Sequence, residues 1–217
     1  MNIIEIEKEK TASFDVDPQR GFTPLCPNEL PVAEGDEIAG ELNAQAAFAR
    51  LRLVSKDCHP VAAPWVAQSA AEVMQPVEGS YPNLDIKWPP HCVVGTEGNR
   101  LIPGLPDEAD YDLVVEKGKD PLMHPYGACF QDLQETISTG AVEWLKKQGV
   151  DTLLLGGLAT DYCVKTTGLQ LLQAGFRVIL NRAACRGVAA ETSRQGLEEL
   201  RRAGAQFVNS SDDLVLI

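Results

Sequence analysis

Basic side chains and histidines are scarce in this chain. Its 217 residues include 19 lysines and arginines against 31 aspartates and glutamates, which gives a formal net charge of −12, and only three are histidines. Nucleic acids and acidic membrane surfaces bind to clusters of positive charge, which so acidic a chain does not favour. We therefore expect no nucleic-acid partner, no membrane partner, and a small molecule as the ligand.

Long apolar runs and ordered cysteine motifs are absent as well. No stretch reaches the roughly 18 apolar residues that a membrane-spanning helix needs. Residues 1–10 alternate charged side chains with isoleucines, unlike the apolar centre of a signal peptide, so we expect a cytoplasmic protein. The six cysteines show no Cys-x-x-Cys spacing, which argues against a zinc knuckle or a disulfide framework and predicts free thiols.

Strand-like and helix-like patterns alternate along most of the chain. The patterns predict strands at 11–17, 51–55, 111–116, 152–155, 177–180 and 206–209, and helices at 35–51, 131–147, 161–174 and 190–203. Such alternation predicts a mainly parallel sheet with helices on both faces, a three-layer α/β/α fold in one domain over residues 1–217. Residues 60–106 are rich in proline, and they predict a loop-rich insertion with at most a short helix near 67–74. Long loops of this kind are usually functional.

Four reactive side chains follow predicted strands: Asp17, Asp57, Lys117 and Cys163. The carboxyl ends of parallel strands share one edge of a sheet, where ligands bind in open α/β folds. Asp17 could act as the base for a thiol, and Lys117 could favour both a thiolate and a carboxylate. Cys163 lies near the first turn of a predicted helix, where the helix dipole also favours the thiolate. Each residue alone has an ordinary interpretation, as a turn aspartate, a solvated lysine or a packed cysteine.

A second group of candidate residues has the composition of a metal site. Residues i and i+2 of an extended segment point the same way, so Asp57 and His59 can bind one ion while Cys58 faces the opposite side. His91, within the loop-rich insertion, could complete the ligand set. The alternative is that His59 caps a turn and that His91 packs against Trp88.

Several motifs together resemble the isochorismatase-like cysteine hydrolases, and among them the nicotinamidases. The Ala-Thr-Asp-x-Cys-Val motif at 159–164 is typical of the superfamily. Asp-x-His at 57–59 joined with Trp-Pro-x-His-Cys at 88–92 is typical of the nicotinamidase branch. The remaining matching segments are 14–22, Lys117-Gly118 and 184–188, in the same order as in the family.

The resemblance implies a catalytic triad of Cys163, Asp17 and Lys117. In the family the thiolate attacks an amide carbonyl, ammonia leaves, and water hydrolyses the resulting thioester, while the aspartate transfers the protons. The backbone N–H groups of Ala159 and Cys163 would form the oxyanion hole. Family members carry a non-prolyl cis peptide just before the alanine that matches Ala159.

The resemblance also implies a metal site and an aromatic substrate pocket. Asp57, His59 and His91 would bind one divalent ion that holds the ring nitrogen of a pyridine substrate. We expect Zn²⁺ first, with Fe²⁺ and Mn²⁺ as alternatives. The pocket walls would be Phe22, Trp88 and Tyr126. The implied activity is hydrolysis of nicotinamide to nicotinate and ammonia, with pyrazinamide as a further substrate.

Two alternative functions stay open, and the sequence departs from the family pattern at two places. The chain could be another small-amide or carbamoyl hydrolase of the superfamily, or a non-catalytic metal-binding protein, and its oligomeric state is open, a homo-oligomer included. Residues 20–21 are Arg-Gly where the family often has Asn-Asp. Residues 61–65 offer no further ligand, so we expect three protein ligands completed by waters. His124 lies in a polar loop and is assigned no role.

Overall fold

The computed structural model describes residues 3–217, which form a central sheet of parallel strands between layers of helices. The strands are β1 (Ile4–Ile6), β2 (Thr11–Val16), β3 (Leu51–Asp57), β4 (Leu113–Lys117), β5 (Thr152–Leu158), β6 (Arg177–Arg186), β7 (Gln206–Val208) and β8 (Leu214–Leu216). The helices are α1 (Ala39–Ala46), α2 (Ala141–Lys147), α3 (Lys165–Gln173) and α4 (Ala190–Arg202).

Six strands form the main sheet in the order β4-β3-β2-β5-β6-β7, and every neighbouring pair is parallel. The chain runs outward in one direction from β2 to β4 and in the other from β5 to β7. The order therefore reverses between β2 and β5, and ligands bind at such a switch point in open parallel sheets. That the whole of residues 1–217 is one domain stays a prediction, and its first two residues lie outside the described range.

Alternate residues of the strands face opposite sides of the sheet, which gives the two helical layers separate cores. Leu153 and Leu155 of β5 pack in one core with residues of α2, α3 and α4. Leu154, between them, packs on the other face against β1 and β8. Helix α1 contributes Leu42 to a further core near the carboxyl end of the strands, on the same face as Leu158 and Ala184.

The observed strands and helices differ from the predicted ones where contacts between separate segments determine the local structure. The two-stranded sheet of β1 and β8 was not predicted, because three-residue strands are too short to show a periodic pattern of apolar residues. The helix predicted at 131–147 begins only at Ala141. Before it, the Asp132 carboxylate accepts hydrogen bonds from the N–H groups of Thr136 and Ile137, and this turn replaces the first helical turns.

Residues 58–112 connect β3 to β4 through loops and single 3₁₀ turns, one of which, Ala70–Glu72, lies where a short helix was predicted. This insertion has a small apolar cluster of its own, formed by Trp65, Val66, Leu84 and Trp88. Tyr126 and Tyr162 pack against that cluster, so the insertion is fixed over the carboxyl end of the sheet. Within residues 3–217, no helix is both long and apolar enough to cross a membrane.

Gly157 allows β5 to lie against β2 directly before the cysteine loop. Its φ is 137°, and a Cβ atom at this position would lie 2.0 Å from the carbonyl oxygen of Val16. We expect Gly157→Ala to lower the free energy of unfolding by about 3 kcal/mol or more, because it adds a backbone clash to an unfavourable φ. Denaturant unfolding monitored by circular dichroism measures the change.

Gly40→Ala is the matched control for this substitution. Gly40 lies in α1, and a Cβ atom there would meet nothing within 4 Å. Alanine favours a helix interior over glycine by about 1 kcal/mol, so this variant should equal or exceed the wild type in stability. If both variants had the same free energy of unfolding, the clash expected for a Cβ atom at position 157 would have no energetic cost.

Candidate active site

Neighbouring strands bring the predicted reactive residues together at the carboxyl edge of the sheet. Asp17 follows β2, Asp57 and Lys117 end β3 and β4, and Cys163 lies in the loop after β5. Asp57 and Lys117 are also direct partners in the register of β3 and β4. A carboxylate oxygen of each aspartate and the Cys163 Sγ atom lie within 4.8 Å of one another. The expectation that these four side chains share one edge is confirmed.

Lys117 is the charged centre of this group. Its Nζ atom lies 2.9 Å from Asp17 Oδ2, 2.5 Å from Asp57 Oδ1 and 3.8 Å from Cys163 Sγ. The side chain is fully buried. Burial lowers the pKa of Lys117, but the two carboxylates outweigh burial and raise the pKa well above its usual value. Lys117 is therefore a fixed positive charge between two carboxylates and a thiol.

Asp17 is held in one orientation by Ser55. The Ser55 hydroxyl donates a 2.6 Å hydrogen bond to Asp17 Oδ1, and the Asp17 N–H donates to the Ser55 carbonyl oxygen at 3.1 Å. Asp17 has a φ of 43°, in the left-handed region that few aspartates adopt. Burial raises the pKa of this carboxyl group, and the charge of Lys117 opposes that rise. A raised pKa brings a carboxylate closer to the range where it can accept and return a proton near neutral pH.

Cys163 lies in a turn of π-helix, Thr160–Val164, which leads directly into α3. Burial raises the pKa of its thiol well above the usual value, and Lys117 offsets this only in part, because Asp17 and Asp57 act in the opposite direction. The expected preference for a resting thiolate is therefore wrong in this structure. The thiol has to lose its proton as it reacts, and Asp17, with a carboxylate oxygen within 4.8 Å of Sγ, is a neighbouring candidate base.

Asp161 fixes the cysteine loop against α4. Its carboxylate accepts hydrogen bonds from the N–H groups of Val188 and Ala189 at 3.0 and 3.1 Å, and from the Thr192 hydroxyl at 2.5 Å. These donors lie directly before α4 and in its first turn, so Asp161 holds the cysteine loop against the beginning of that helix. Pairing it with the segment after β6 required the tertiary structure.

The backbone before Cys163 has the features that the resemblance predicts. A cis peptide joins Leu158 to Ala159. The Ala159 carbonyl accepts hydrogen bonds from the N–H groups of Tyr162 and Val164, both at 3.1 Å. Ala159 and Cys163 line the same pocket. The predicted oxyanion donors thus belong to one tightly turned segment.

His59 and His91 lie close together, with ring centroids 4.8 Å apart and an interplanar angle of 78°. His59 Nδ1 lies 3.1 Å from the Gly118 carbonyl oxygen, and His91 Nδ1 lies 2.7 Å from the Pro89 carbonyl oxygen. A carbonyl oxygen only accepts, so each Nδ1 carries the proton and each Nε2 keeps its lone pair for a ligand. Gly118 permits this arrangement, since a Cβ atom there would lie 2.6 Å from the His59 ring.

Asp57 adds a carboxylate to the two imidazoles. Its Oδ2 atom lies 3.5 Å from His59 Nε2, a buried nitrogen that has no hydrogen-bond partner within residues 3–217. Burial and the neighbouring His59 lower the pKa of His91 to about 3, which keeps that ring neutral. One carboxylate and two imidazoles are a set of donors that suits a divalent metal ion. Cys58 is not among these residues: its Sγ atom lies 3.7 Å from Asn99 Nδ2.

His124 also belongs to this cluster, so the expectation that it lies in a polar loop is wrong. Ring nitrogens of His59, His91 and His124 all lie within 4.8 Å of one another. The side chain is 3% exposed, and burial holds the pKa of its ring well below the usual value. Isolated in the sequence, with no second ligand at i+2 or i+4, it gave no metal-site signal.

Two amides that sequence analysis overlooked hold the Asp57 backbone. Gln19 Oε1 accepts from the Asp57 N–H at 2.7 Å, and Gln19 Nε2 donates to the Asp57 carbonyl at 2.8 Å. Asn99 Nδ2 donates to the same carbonyl at 2.7 Å. Gln19 lies two residues after Asp17, so the loop that carries Asp17 also holds the Asp57 backbone. The short separation of Gln19 from Asp17 in the sequence was the signal that could have identified Gln19.

A narrow pocket with an interior volume of about 20 Å³ opens onto both groups of residues. Cys163, Asp57 and His91 reach it, and the three predicted aromatic walls line it: Phe22, Trp88 and Tyr126. Tyr162 was not predicted. Its ring meets that of Trp88 edge to face at 4.9 Å.

Comparison with known families identifies the fold and the group of enzymes. A model of the isochorismatase domain matches residues 11–212. The chain belongs to the isochorismatase family. The nicotinamidase of Escherichia coli strain K12 is 35% identical over 191 residues, which cover 84% of this chain and 88% of that protein.

Solved structures of isochorismatase-family enzymes agree with this assignment. A nicotinamidase/pyrazinamidase of Acinetobacter baumannii superposes with a TM-score of 0.84 at 30% identity, over 94% of this chain and 98% of that one. A pyrazinamidase of Pyrococcus horikoshii in complex with zinc gives 0.72 at 28% identity, over 92% and 98%. The predicted family and the three-layer α/β/α fold are confirmed, and the metal-ligand cluster is consistent with a divalent ion.

Proposed function

We propose that this isochorismatase-family protein is a nicotinamidase, which hydrolyses nicotinamide to nicotinate and ammonia and also accepts pyrazinamide. The observation that carries the proposal is a single pocket lined by a cysteine, by metal-ligand candidates and by flat aromatic rings. Its similarity to the nicotinamidases described above supports it. The proposed cytoplasmic location rests on the sequence alone.

The first half of the proposed reaction forms a thioester. Asp17 accepts the Cys163 thiol proton while Sγ attacks the amide carbonyl carbon, and the N–H groups of Ala159 and Cys163 hold the resulting oxyanion. Asp17 then gives the proton to the amide nitrogen, the C–N bond breaks, and ammonia leaves. Lys117 remains protonated throughout and balances the charge of the carboxylates.

The second half hydrolyses the thioester. Asp17, again a carboxylate, takes a proton from a water that attacks the thioester carbonyl, and the oxyanion forms in the same position. The C–S bond breaks, Cys163 regains a proton, and the carboxylic acid product leaves. One buried carboxylate serves both halves, because it alternates between the base and the acid form.

Asp57, His59 and His91 are the proposed metal ligands, with Zn²⁺ as the proposed ion. When bound, the ion would hold the pyridine nitrogen of the substrate. Phe22 and Trp88 would pack against the ring, and positioning of this kind lowers the barrier without direct participation in bond breaking. The largely apolar pocket favours a flat heteroaromatic ring over the acyclic amides of the alternative function.

Removal of the metal tests whether the ion positions the substrate or takes part in the hydrolysis itself. We expect a chelator to lower kcat/KM for nicotinamide by roughly 10²-fold, because a substrate misplaced by about 1 Å reacts that much more slowly. An activated acyclic ester, which has no ring nitrogen, should lose far less. Ammonia release, ester hydrolysis and iodoacetamide labelling of Cys163 are measured on the same sample, checked for folding by circular dichroism.

Labelling should persist after chelation, since the metal has no part in creating the nucleophile. Equal loss of activity on both substrates would transfer the chemistry from Cys163 to a metal-activated water. Turnover of a carbamoyl or acyclic amide substrate well above that of nicotinamide would favour the alternative hydrolase. Failure of the metal-loaded protein on every amide would refute the proposed function.

A further inference from the structure

All three histidines of the chain converge on one point. They lie in three separate segments, at positions 59, 91 and 124, yet their ring nitrogens lie within 4.8 Å of one another. The rings of His59 and His124 are stacked, with centroids 5.0 Å apart and an interplanar angle of 17°. The sequence contains no other histidine, so every histidine of the chain belongs to this cluster.

The ring nitrogens of His124 have no partner among the described residues. Both of its ring nitrogens are buried without a hydrogen bond within residues 3–217, although the side chain is only 3% exposed. Leaving a buried polar group unpaired costs roughly 1–3 kcal/mol. The ring is surrounded by Trp65, at a centroid distance of 4.3 Å, and by Trp88 and Tyr126. Within residues 3–217, His59 and His91 are the metal-ligand candidates whose ring nitrogens lie within 4.8 Å of a nitrogen of His124.

We propose that His124 is a fourth protein ligand of the divalent ion held by Asp57, His59 and His91. The inference rests on the proposed function for the presence of that ion, and it replaces our expectation of three protein ligands completed by waters. Coordination would satisfy the lone pair of one His124 nitrogen. The resulting set of three imidazoles and one carboxylate suits Zn²⁺ and Fe²⁺ better than the oxygen-preferring Mg²⁺.

A role in substrate binding is the competing explanation, because His124 also lines the pocket. The distance to the other histidines favours the metal. A nitrogen that contacts only the substrate need not lie within 4.8 Å of ring nitrogens of two other imidazoles. Both explanations predict lower activity on substitution, so activity alone does not distinguish them.

Nitrogen-15 NMR of the imidazoles makes the distinction. Protein labelled with ¹⁵N-histidine is stripped of metal and titrated with Zn²⁺, and His124→Phe, which keeps a ring but removes both nitrogens, assigns the third set of signals. We expect a nitrogen of all three histidines to shift with one equivalent of Zn²⁺. Competition with a chelator should show that His124→Phe raises the Kd for Zn²⁺ by about tenfold or more, in the same direction as His59→Phe.

The outcomes separate this inference from the proposed function. Shifts confined to two histidines, with unchanged Zn²⁺ affinity in folded His124→Phe and a raised KM for nicotinamide, would assign His124 to the substrate and overturn the inference alone. Three shifted histidines in a protein that hydrolyses no nicotinamide would leave the ligand set standing and refute the function. Wild-type protein that takes up no Zn²⁺ would overturn both. If His124→Phe does not fold, the wild-type titration still counts the shifted imidazoles.

Discussion

Cys163→Ala is expected to reduce ammonia release from nicotinamide by roughly 10⁴-fold or more, to near the uncatalysed background. The thioester route needs a nucleophile at this position, and removal of the nucleophile of a covalent enzyme costs losses of this size or larger. Cys163→Ser should be nearly as inactive, because a carboxylate is too weak a base to deprotonate a serine hydroxyl at neutral pH. Initial rates of ammonia release at saturating nicotinamide measure the effect.

Cys129→Ala is the matched control. Cys129 is another buried free cysteine, but it packs in the core that α2, α3 and α4 form with the sheet, and it does not line the pocket. Its substitution should lower stability slightly and leave kcat per folded molecule close to the wild-type value. Ammonia release by Cys163→Ala at even a few per cent of the wild-type rate would be incompatible with a thioester mechanism.

Asp17→Asn is expected to lower kcat by about 10²–10⁴-fold while the protein remains folded. The amide is isosteric with the carboxylate, but it accepts no proton from the thiol, and positioned general bases contribute acceleration of this size. The loss should be severe here because burial raises the pKa of the Cys163 thiol, so little thiolate forms without a base. Steady-state kinetics and the rate of Cys163 alkylation as a function of pH measure the two effects.

Asp15→Asn controls for the loss of a buried carboxylate. Asp15 lies on β2, two residues before Asp17, is fully buried, and has its pKa raised to about 6 by burial. Its Oδ2 atom accepts hydrogen bonds from Arg52 Nε at 2.9 Å and from the Tyr111 hydroxyl at 3.0 Å, away from the pocket. We expect lower stability with kcat retained. If the two variants were equally active, Asp17 would have no special role in proton transfer.

The electrostatics of the candidate site follow from one lysine shared by three acidic groups. Lys117 contacts both aspartates closely, but its Nζ atom is 3.8 Å from Cys163 Sγ. Its charge therefore favours the carboxylates most, and burial dominates at the thiol.

Much of the site could be predicted from sequence because it depends on topology. Regular alternation of strands and helices predicts a parallel sheet, and parallel strands end at one edge. Asp17, Asp57, Lys117 and Cys163 each follow a strand, so their convergence needed no side-chain geometry. The Asp-x-His spacing likewise placed Asp57 and His59 on one side of an extended segment, because side chains alternate along it.

Other features depended on contacts between distant parts of the chain, which only the tertiary structure decided. The strands β1 and β8 exist because each pairs with the other, more than 200 residues away in the sequence. The anchoring of Asp161 on α4 and the convergence of His124 on His59 and His91 have no local pattern. The state of the Cys163 thiol was predicted wrongly for the same physical reason. Sequence showed a helix start and a lysine nearby, but the degree of burial, which outweighs both, is a property of the folded chain.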